Sequence, residues 1–328
     1  MVNYLDYRSN NVSQPEQLQP GKSGSRKLQA RKQFGQHWLR SEKALNRIME
    51  AAQLRPLSGT ERPGDRILEI GPGTGILTRQ LLPQAESVIA VEIDRDLCNW
   101  LTQKLGNFEN FLLLQGDFLA LNLEQLLQPF PAFQAPNKVV ANIPYNITGP
   151  ILEKLLGTIA HPTQPRFDLI VLLVQKEVAL RLVAKAGSKH FGALSVRVQY
   201  LATCEFICDV PAQAFQPPPK VDSAVVRLRP RPPEPAAKYP QQLERFVKLG
   251  FSSKRKMLRN NLQSVLERDS LIQLLEKLSI HSQVRAEDLS VQQWVQLSDH
   301  LSDRLQPVNR DLPDDFLCPS GDRPQKSD

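Results

Sequence analysis

The 328-residue chain lacks the marks of several protein classes. Its four cysteines, Cys98, Cys204, Cys208 and Cys318, form no CxxC pair and no evident disulfide framework, so a reduced cytosol is the expected compartment. Cys204 and Cys208 stand four apart on a strand-like run and are expected on one face, as packing residues and not metal ligands. No apolar run reaches the roughly 18 residues needed to cross a bilayer. Residues 1–30 have no apolar core of the signal-peptide kind, and Asp6 and Glu16 argue against a transit peptide. The five histidines join no His/Cys/Asp group with metal-ligand spacing. A cytoplasmic protein without a metal, a membrane span or disulfides is therefore expected.

Positive charge is in excess. There are 41 Lys and Arg against 34 Asp and Glu, a net charge of +7 that suits a polyanionic partner without requiring one. Composition also divides the chain. Residues 1–30 are rich in Asn, Gln, Ser and Pro and end in a basic stretch at 27–32, so a disordered basic extension is expected. Residues 31–229 alternate apolar strands with helical runs, the pattern of a parallel sheet covered on both faces. Prolines crowd 230–240, which reads as a linker. Residues 241–304 carry helical periodicity in Leu243, Phe246, Val247 and Gly250, and again in Leu271, Leu274, Leu275 and Leu278, which predicts a small all-helical domain. Residues 305–328, with Pro307, Pro313, Pro319 and Pro324, read as a disordered tail.

Chemistry is expected where the strands end. The run at 66–70 feeds Gly71-Pro72-Gly73-Thr74-Gly75, a turn whose glycines let a ligand approach the backbone, followed by a helix start. A second strand ends at Glu92, about 20 positions after the first glycine, where a carboxylate would meet ribose hydroxyls. NAD enzymes share that pairing, but the spacing here is Gly-x-Gly-x-Gly and not Gly-x-Gly-x-x-Gly, which favours S-adenosylmethionine. A third strand ends at Asp117, placed either to accept an adenine amine or simply to cap a turn. A fourth ends at Asn142-Ile143-Pro144-Tyr145. There an amide oxygen and a carbonyl can accept the two hydrogens of an exocyclic amine while the Tyr145 ring offers a stacking face. A bare match of this length is also compatible with a proline turn.

Together with Phe34-Gly35-Gln36-His37-Trp38-Leu39, Phe215-Gln216-Pro217-Pro218-Pro219-Lys220-Val221-Asp222-Ser223 and Phe251-Ser252-Ser253-Lys254-Arg255-Lys256-Met257-Leu258-Arg259-Asn260, these strand ends carry a resemblance. The chain resembles the ribosomal RNA adenine N6,N6-dimethyltransferases, most closely the bacterial small-subunit (KsgA-type) branch, from about Arg31 to about Leu301. The resemblance implies a Rossmann-like class I methyltransferase sheet with helices on both faces, plus a small helical C-terminal domain. It implies S-adenosylmethionine held by His37, Leu39, Gly71, Gly73, Glu92, Asp117 and Asn142. It implies transfer at Asn142, Pro144 and Tyr145, with Phe215 either covering the far face of the base or anchoring the proline loop. Lys220, Lys254, Arg255, Lys256 and Arg259 become RNA contacts, although a basic run is also what a solvated helix face looks like. The implied substrate is 16S ribosomal RNA in the immature small subunit, and the protein is expected to be a monomer. Here His37 and Trp38 stand where many relatives carry Asn and Phe. The competing expectations are a large-subunit methyltransferase of the macrolide-resistance type, an assembly factor whose binding matters more than its catalysis, and an oxidoreductase.

Overall fold

A strand covered on both faces has no polar side to show, and the apolar runs at 66–70, 87–92 and 111–115 are of that kind. The structure, a computed structural model, describes residues 4–6, 28–31, 34–55, 57, 63–164 and 167–305. In chain order the strands are β1 (Tyr4–Asp6), β2 (Trp38–Leu39), β3 (Arg66–Ile70), β4 (Ser87–Glu92), β5 (Phe111–Gln115), β6 (Lys138–Asn142), β7 (Leu169–Gln175), β8 (Ala202–Val210), β9 (Phe215–Gln216) and β10 (Ser223–Pro230). The helices are α1 (Glu42–Ala52), α2 (Thr78–Leu81), α3 (Arg95–Leu105), α4 (Leu123–Leu127), α5 (Thr148–Leu156), α6 (Lys176–Leu182), α7 (Ala193–Leu201), α8 (Pro240–Gly250), α9 (Leu258–Asn261), α10 (Arg268–Lys277) and α11 (Val291–Leu305).

One sheet runs β1-β5-β4-β3-β6-β7-β10-β8, parallel as far as β7, with β10 antiparallel to both of its neighbours. Successive side chains alternate between its faces: Ile89 and Val91 of β4 enter one apolar cluster, Val88 and Ala90 the other. The second cluster takes in Ile48 of α1 and Leu101 of α3. The first extends to Phe246, Leu275 and Trp294, so the C-terminal helices share a core with one face of the sheet. Gly250 faces Trp294 so closely that a Cβ would come within 2.3 Å of the ring, which explains a glycine in that apolar stripe. The expected architecture, a Rossmann-like α/β sheet with helices on both faces followed by an all-helical region, is the one found.

After β3 the chain fills the sheet on one side with β4 and β5, then returns to lay β6 and β7 on the other. That reversal opens a crevice at the carboxyl ends of β3 and β6, where open α/β sheets bind ligands.

Two expectations differ from what is found. Tyr4–Asp6, inside the stretch expected to be disordered, form a strand parallel to β5 at the sheet's edge. The rest of that stretch up to residue 27, and the expected tail from 306 on with Cys318, lie outside the described residues. Cys204 and Cys208 do not share a face. Val226 pairs with Phe206 but Val225 with Cys208, so Ile207 is an extra residue that shifts the register. Cys204 therefore packs with the first cluster and Cys208 with the second. Burial pushes the Cys204 thiol up to about 12, which keeps it protonated and unreactive.

Candidate active site

Two turns meet at the crevice. Gly71, Gly73 and Gly75 all have left-handed backbone, with φ of +67°, +59° and +78°. Side-chain-bearing residues rarely adopt that region, so the alternate glycines follow from the path of the chain. The turn is held by Gly71 N–H donating to Val91 O at 2.9 Å and Gly75 N–H to Pro72 O at 3.0 Å. A Cβ on Gly71 would lie 3.8 Å from Pro144 Cδ and 3.9 Å from Asn142 O, so the glycine turn rests directly against the turn after β6.

Asn142 closes β6, and its amide nitrogen Nδ2 donates to His37 O at 3.2 Å. A main-chain carbonyl can only accept, so this bond commits the NH2 half of the amide to the segment before β2 and leaves Oδ1 as an acceptor elsewhere. Tyr145 follows in a single 3-10 turn. Its hydroxyl is hydrogen-bonded to Ser223 Oγ, and burial raises its pKa, so the phenol stays neutral. The Tyr145 ring is stacked against that of His37, with centroids 5.9 Å apart and planes at 19°. Nδ1 of His37 lies 2.8 Å from Pro217 O, which can only accept, so that nitrogen carries the hydrogen. One residue before β2 thus braces the Asn142 amide, the Tyr145 ring and the proline loop.

The same strap is clamped to the start of α3. Gln36 Nε2 donates to Asp94 Oδ2 at 3.0 Å, and Arg31 reaches both Asp94, at 3.3 Å, and Asp96. Asp94 is also the cap of α3, accepting from Asp96 N–H at 2.9 Å.

The crevice holds two buried carboxyl groups. Glu92, 5 % exposed, accepts from Gly73 N–H at 3.1 Å and Asp94 N–H at 2.9 Å, yet burial still pushes it up to about 7. Glu69, 1 % exposed, has an oxygen, Oε2, with no hydrogen-bond partner. Burial pushes it up to about 8, the Glu92 charge adds to that, and the neighbouring Thr78 hydroxyl opposes it. A buried carboxylate with an unpartnered oxygen is costly unless a cation completes it. The donor set therefore fits S-adenosylmethionine, which carries an ammonium and a sulfonium, and disfavours the anionic diphosphate of a dinucleotide. Asp117, exposed at the end of β5, caps its own turn by accepting from Leu119 N–H at 2.9 Å.

His37, Leu39, Gly71, Gly73, Glu92, Asp117, Asn142, Pro144 and Tyr145 line this one crevice. Phe215 is placed elsewhere. It is 3 % exposed, pairs with Leu39 across β2 and β9, and belongs to the apolar cluster under the sheet, so its burial fits the loop anchor and not the base cover. Lys220, Lys254, Arg255 and Lys256 are exposed, the last three in the turn between α8 and α9. Arg259 differs from them. It is half-buried and its Nη1 donates to Ser282 O at 2.6 Å, which makes it a strut between α9 and the loop that follows α10. Sequence reasoning missed Glu69, Arg31 and Asp94 as parts of the site. Glu69, a lone acid in a strand otherwise buried on both faces, was the available signal. The contacts of Arg31 cross more than sixty residues and left none.

Comparison with known proteins agrees with this geometry. The family described as ribosomal RNA adenine dimethylase matches residues 27–303. A protein of Nostoc punctiforme named ribosomal RNA small subunit methyltransferase A is 69% identical over 275 residues, covering 84% of this chain and 96% of the relative. One of the same name from Trichormus variabilis is 68% identical over 274 residues, covering 84% and 98%. Among solved structures, a dimethyladenosine transferase from Plasmodium falciparum superposes with a TM-score of 0.66 at 27% identity, over 82% of this chain and 98% of that one. The 23S rRNA methyltransferase ErmE does so with 0.62 at 30% identity, over 81% and 99%. With the match spanning sheet, crevice and C-terminal helices, the chain belongs to the ribosomal RNA adenine dimethylase family of S-adenosylmethionine-dependent methyltransferases.

Proposed function

We propose that this enzyme dimethylates the N6 amines of two adjacent adenosines in the 3′-terminal hairpin of 16S ribosomal RNA, on an immature small subunit. We also propose that it works there as a cytoplasmic monomer. The observation that carries the chemistry is the fixed Asn142 amide. With Nδ2 held by His37 O, Oδ1 is the half left to accept from an incoming amine.

The N6 lone pair of adenine is delocalised into the ring and is a poor nucleophile until it is localised. Asn142 Oδ1 and the Pro144 carbonyl would each accept one N6 hydrogen, turning the lone pair toward the crevice. Tyr145 would stack on the base, a contact worth roughly 1–3 kcal/mol. S-adenosylmethionine supplies a methyl group on a positively charged sulfur. Glu69 and Glu92 would hold the cationic and ribose parts of that molecule, Asp117 its adenine amine, and Gly71 and Gly73 would let it lie against backbone. His37 and Leu39 would close the strap over it. What the chain contributes is position and charge, sufficient for an in-line displacement without a dedicated base. Lys220, Lys254, Arg255 and Lys256 would meet phosphates.

The small-subunit reading is supported over the macrolide-resistance one by identity, 69% to the small-subunit relative against 30% to ErmE. The test is transfer of labelled methyl groups to unmethylated small subunits, large subunits and naked RNA, with mapping of the modified bases. Dimethyladenosine at two neighbouring small-subunit positions is expected. Label on large-subunit RNA would overturn the proposal, and binding that rescues subunit assembly in an Asn142→Ala protein would shift the main role to assembly.

A further inference from the structure

Lys154 lies in the last turn of α5, the helix that begins just after the Asn142-to-Tyr145 turn. Its sequence setting is that of an ordinary surface lysine, but its ammonium points inward, against the loop that follows β5. Nζ donates to Phe118 O at 2.5 Å, Leu119 O at 3.0 Å and Leu121 O at 2.6 Å. An ammonium has three hydrogens, so all are committed to carbonyls of one loop and none is left for an RNA phosphate. The same ammonium sits 4.9 Å from the centre of the Phe118 ring, a cation–π contact that fixes the ring as well as the backbone. Burial lowers its pKa, while the charge of Asp117 raises it.

The caged loop borders the crevice. Asp117 and Phe118 both line it, and Asp117 Oδ1 is tied to Leu119 N–H inside the caged segment. We propose that Lys154 is a positioning residue for the cofactor: it holds the loop of residues 117–121 in the shape that presents Asp117 and Phe118 to the adenine of S-adenosylmethionine, and ties that loop to the helix carrying the amine-binding turn. The proposal rests on the reading of Asp117 as an adenine contact. Three carbonyls gathered at one point repel one another. Removing the ammonium leaves them without a common donor, and the loop must spread.

The experiment compares wild type with Lys154→Met, Lys154→Arg and Asp117→Ala, measuring the Kd of S-adenosylmethionine by calorimetry, KM and kcat on unmethylated small subunits, and Tm. Lys154→Met should raise Kd and KM for S-adenosylmethionine about tenfold while kcat at saturating cofactor and the KM for subunits stay within about twofold. Lys154→Arg, which keeps the charge and several donors, should recover most of the loss. A purely structural lysine would lower Tm and leave KM unchanged in the folded protein, and that result would overturn the proposal. If Lys154→Met does not fold, Lys154→Gln takes its place, and an unchanged KM for S-adenosylmethionine in that folded variant overturns the proposal equally. Should Asp117→Ala also leave cofactor affinity untouched, the fault lies with the reading of Asp117 and not with the cage.

Discussion

Strand β3 has a buried carboxyl group at each of its ends, Asp65 and Glu69, and the two ends treat them in opposite ways. Asp65, just before β3, is fully buried, yet Lys138 Nζ reaches it at 2.8 Å, Arg55 at 2.7 Å and Asn137 Nδ2 at 2.8 Å. Burial alone would raise its pKa, but these bonds outweigh it and the value falls below the ordinary carboxylate range. Lys138 also donates to the carbonyls of Ala52 and Gln53 at the end of α1, so the network joins helix to sheet. Glu69, at the far end of β3, has an oxygen without a partner and is pushed up to about 8. One end of β3 is electrostatically complete within the chain, and the other leaves an oxygen open, which the proposed function assigns to the cofactor.

The largest way to break this contrast is Lys138→Met, which removes the buried cation from Asp65 and leaves that fully buried carboxylate only the partly exposed Arg55 as a charge partner. It should cost about 3–5 kcal/mol by chemical denaturation while kcat of the remaining folded protein is unchanged. Asn142→Ala should do the reverse, with Tm within a few degrees of wild type and kcat down at least about 100-fold, because the amine is no longer oriented. A large loss of stability in Asn142→Ala, or of kcat in folded Lys138→Met, would merge the two ends into one.

The pH dependence sharpens the comparison. Glu69 and Glu92 titrate at about 8 and about 7 in the folded protein, above an unfolded value of 4.5. Between those values the native state holds protons that the unfolded state has released, so their contribution to stability is present at low pH and lost as pH rises through 7 and 8. The cofactor-free protein should therefore melt lower at pH about 8.5 than at about 6, and Glu69→Gln should flatten that slope. Asp65 has the opposite sign, because its lowered pKa stabilises above the unfolded value and is lost only in acid. The smallest expected effect is at the surface. Replacing Lys254, Arg255 and Lys256 with Ala should weaken subunit binding and reduce its salt slope by about one unit per lost phosphate contact, with kcat unchanged.

Much of the site was legible because parallel strands buried on both faces read as unbroken apolar runs, and their ends could be found by eye at Gly71, Glu92, Asp117 and Asn142. The left-handed glycines were legible for the same reason, since alternate glycines after a strand mark a turn no other residue makes. What stayed hidden depends on contacts distant in sequence. Lys154 looks like a solvated charge until the loop at 118–121 is folded against it. Phe215 could be read as a base cover or an anchor until its pairing with Leu39 placed it under the sheet. The bulge at Ile207, which separates Cys204 from Cys208, has no local sequence mark and exists only in the pairing of β8 with β10. Arg259 matched a basic block by composition, but its direction was set by Ser282, across the helical region.

The most direct test of the open carboxylate end is calorimetric titration of S-adenosylmethionine in buffers of different ionisation enthalpy at pH about 7.5. A cation pairing with Glu69 lowers its pKa, so binding should release protons and tighten as pH rises from about 6 to about 8.5, and Glu69→Gln should abolish the release. Binding that releases no protons and is indifferent to pH would contradict the account, because Glu69 would then have no part in holding the ligand.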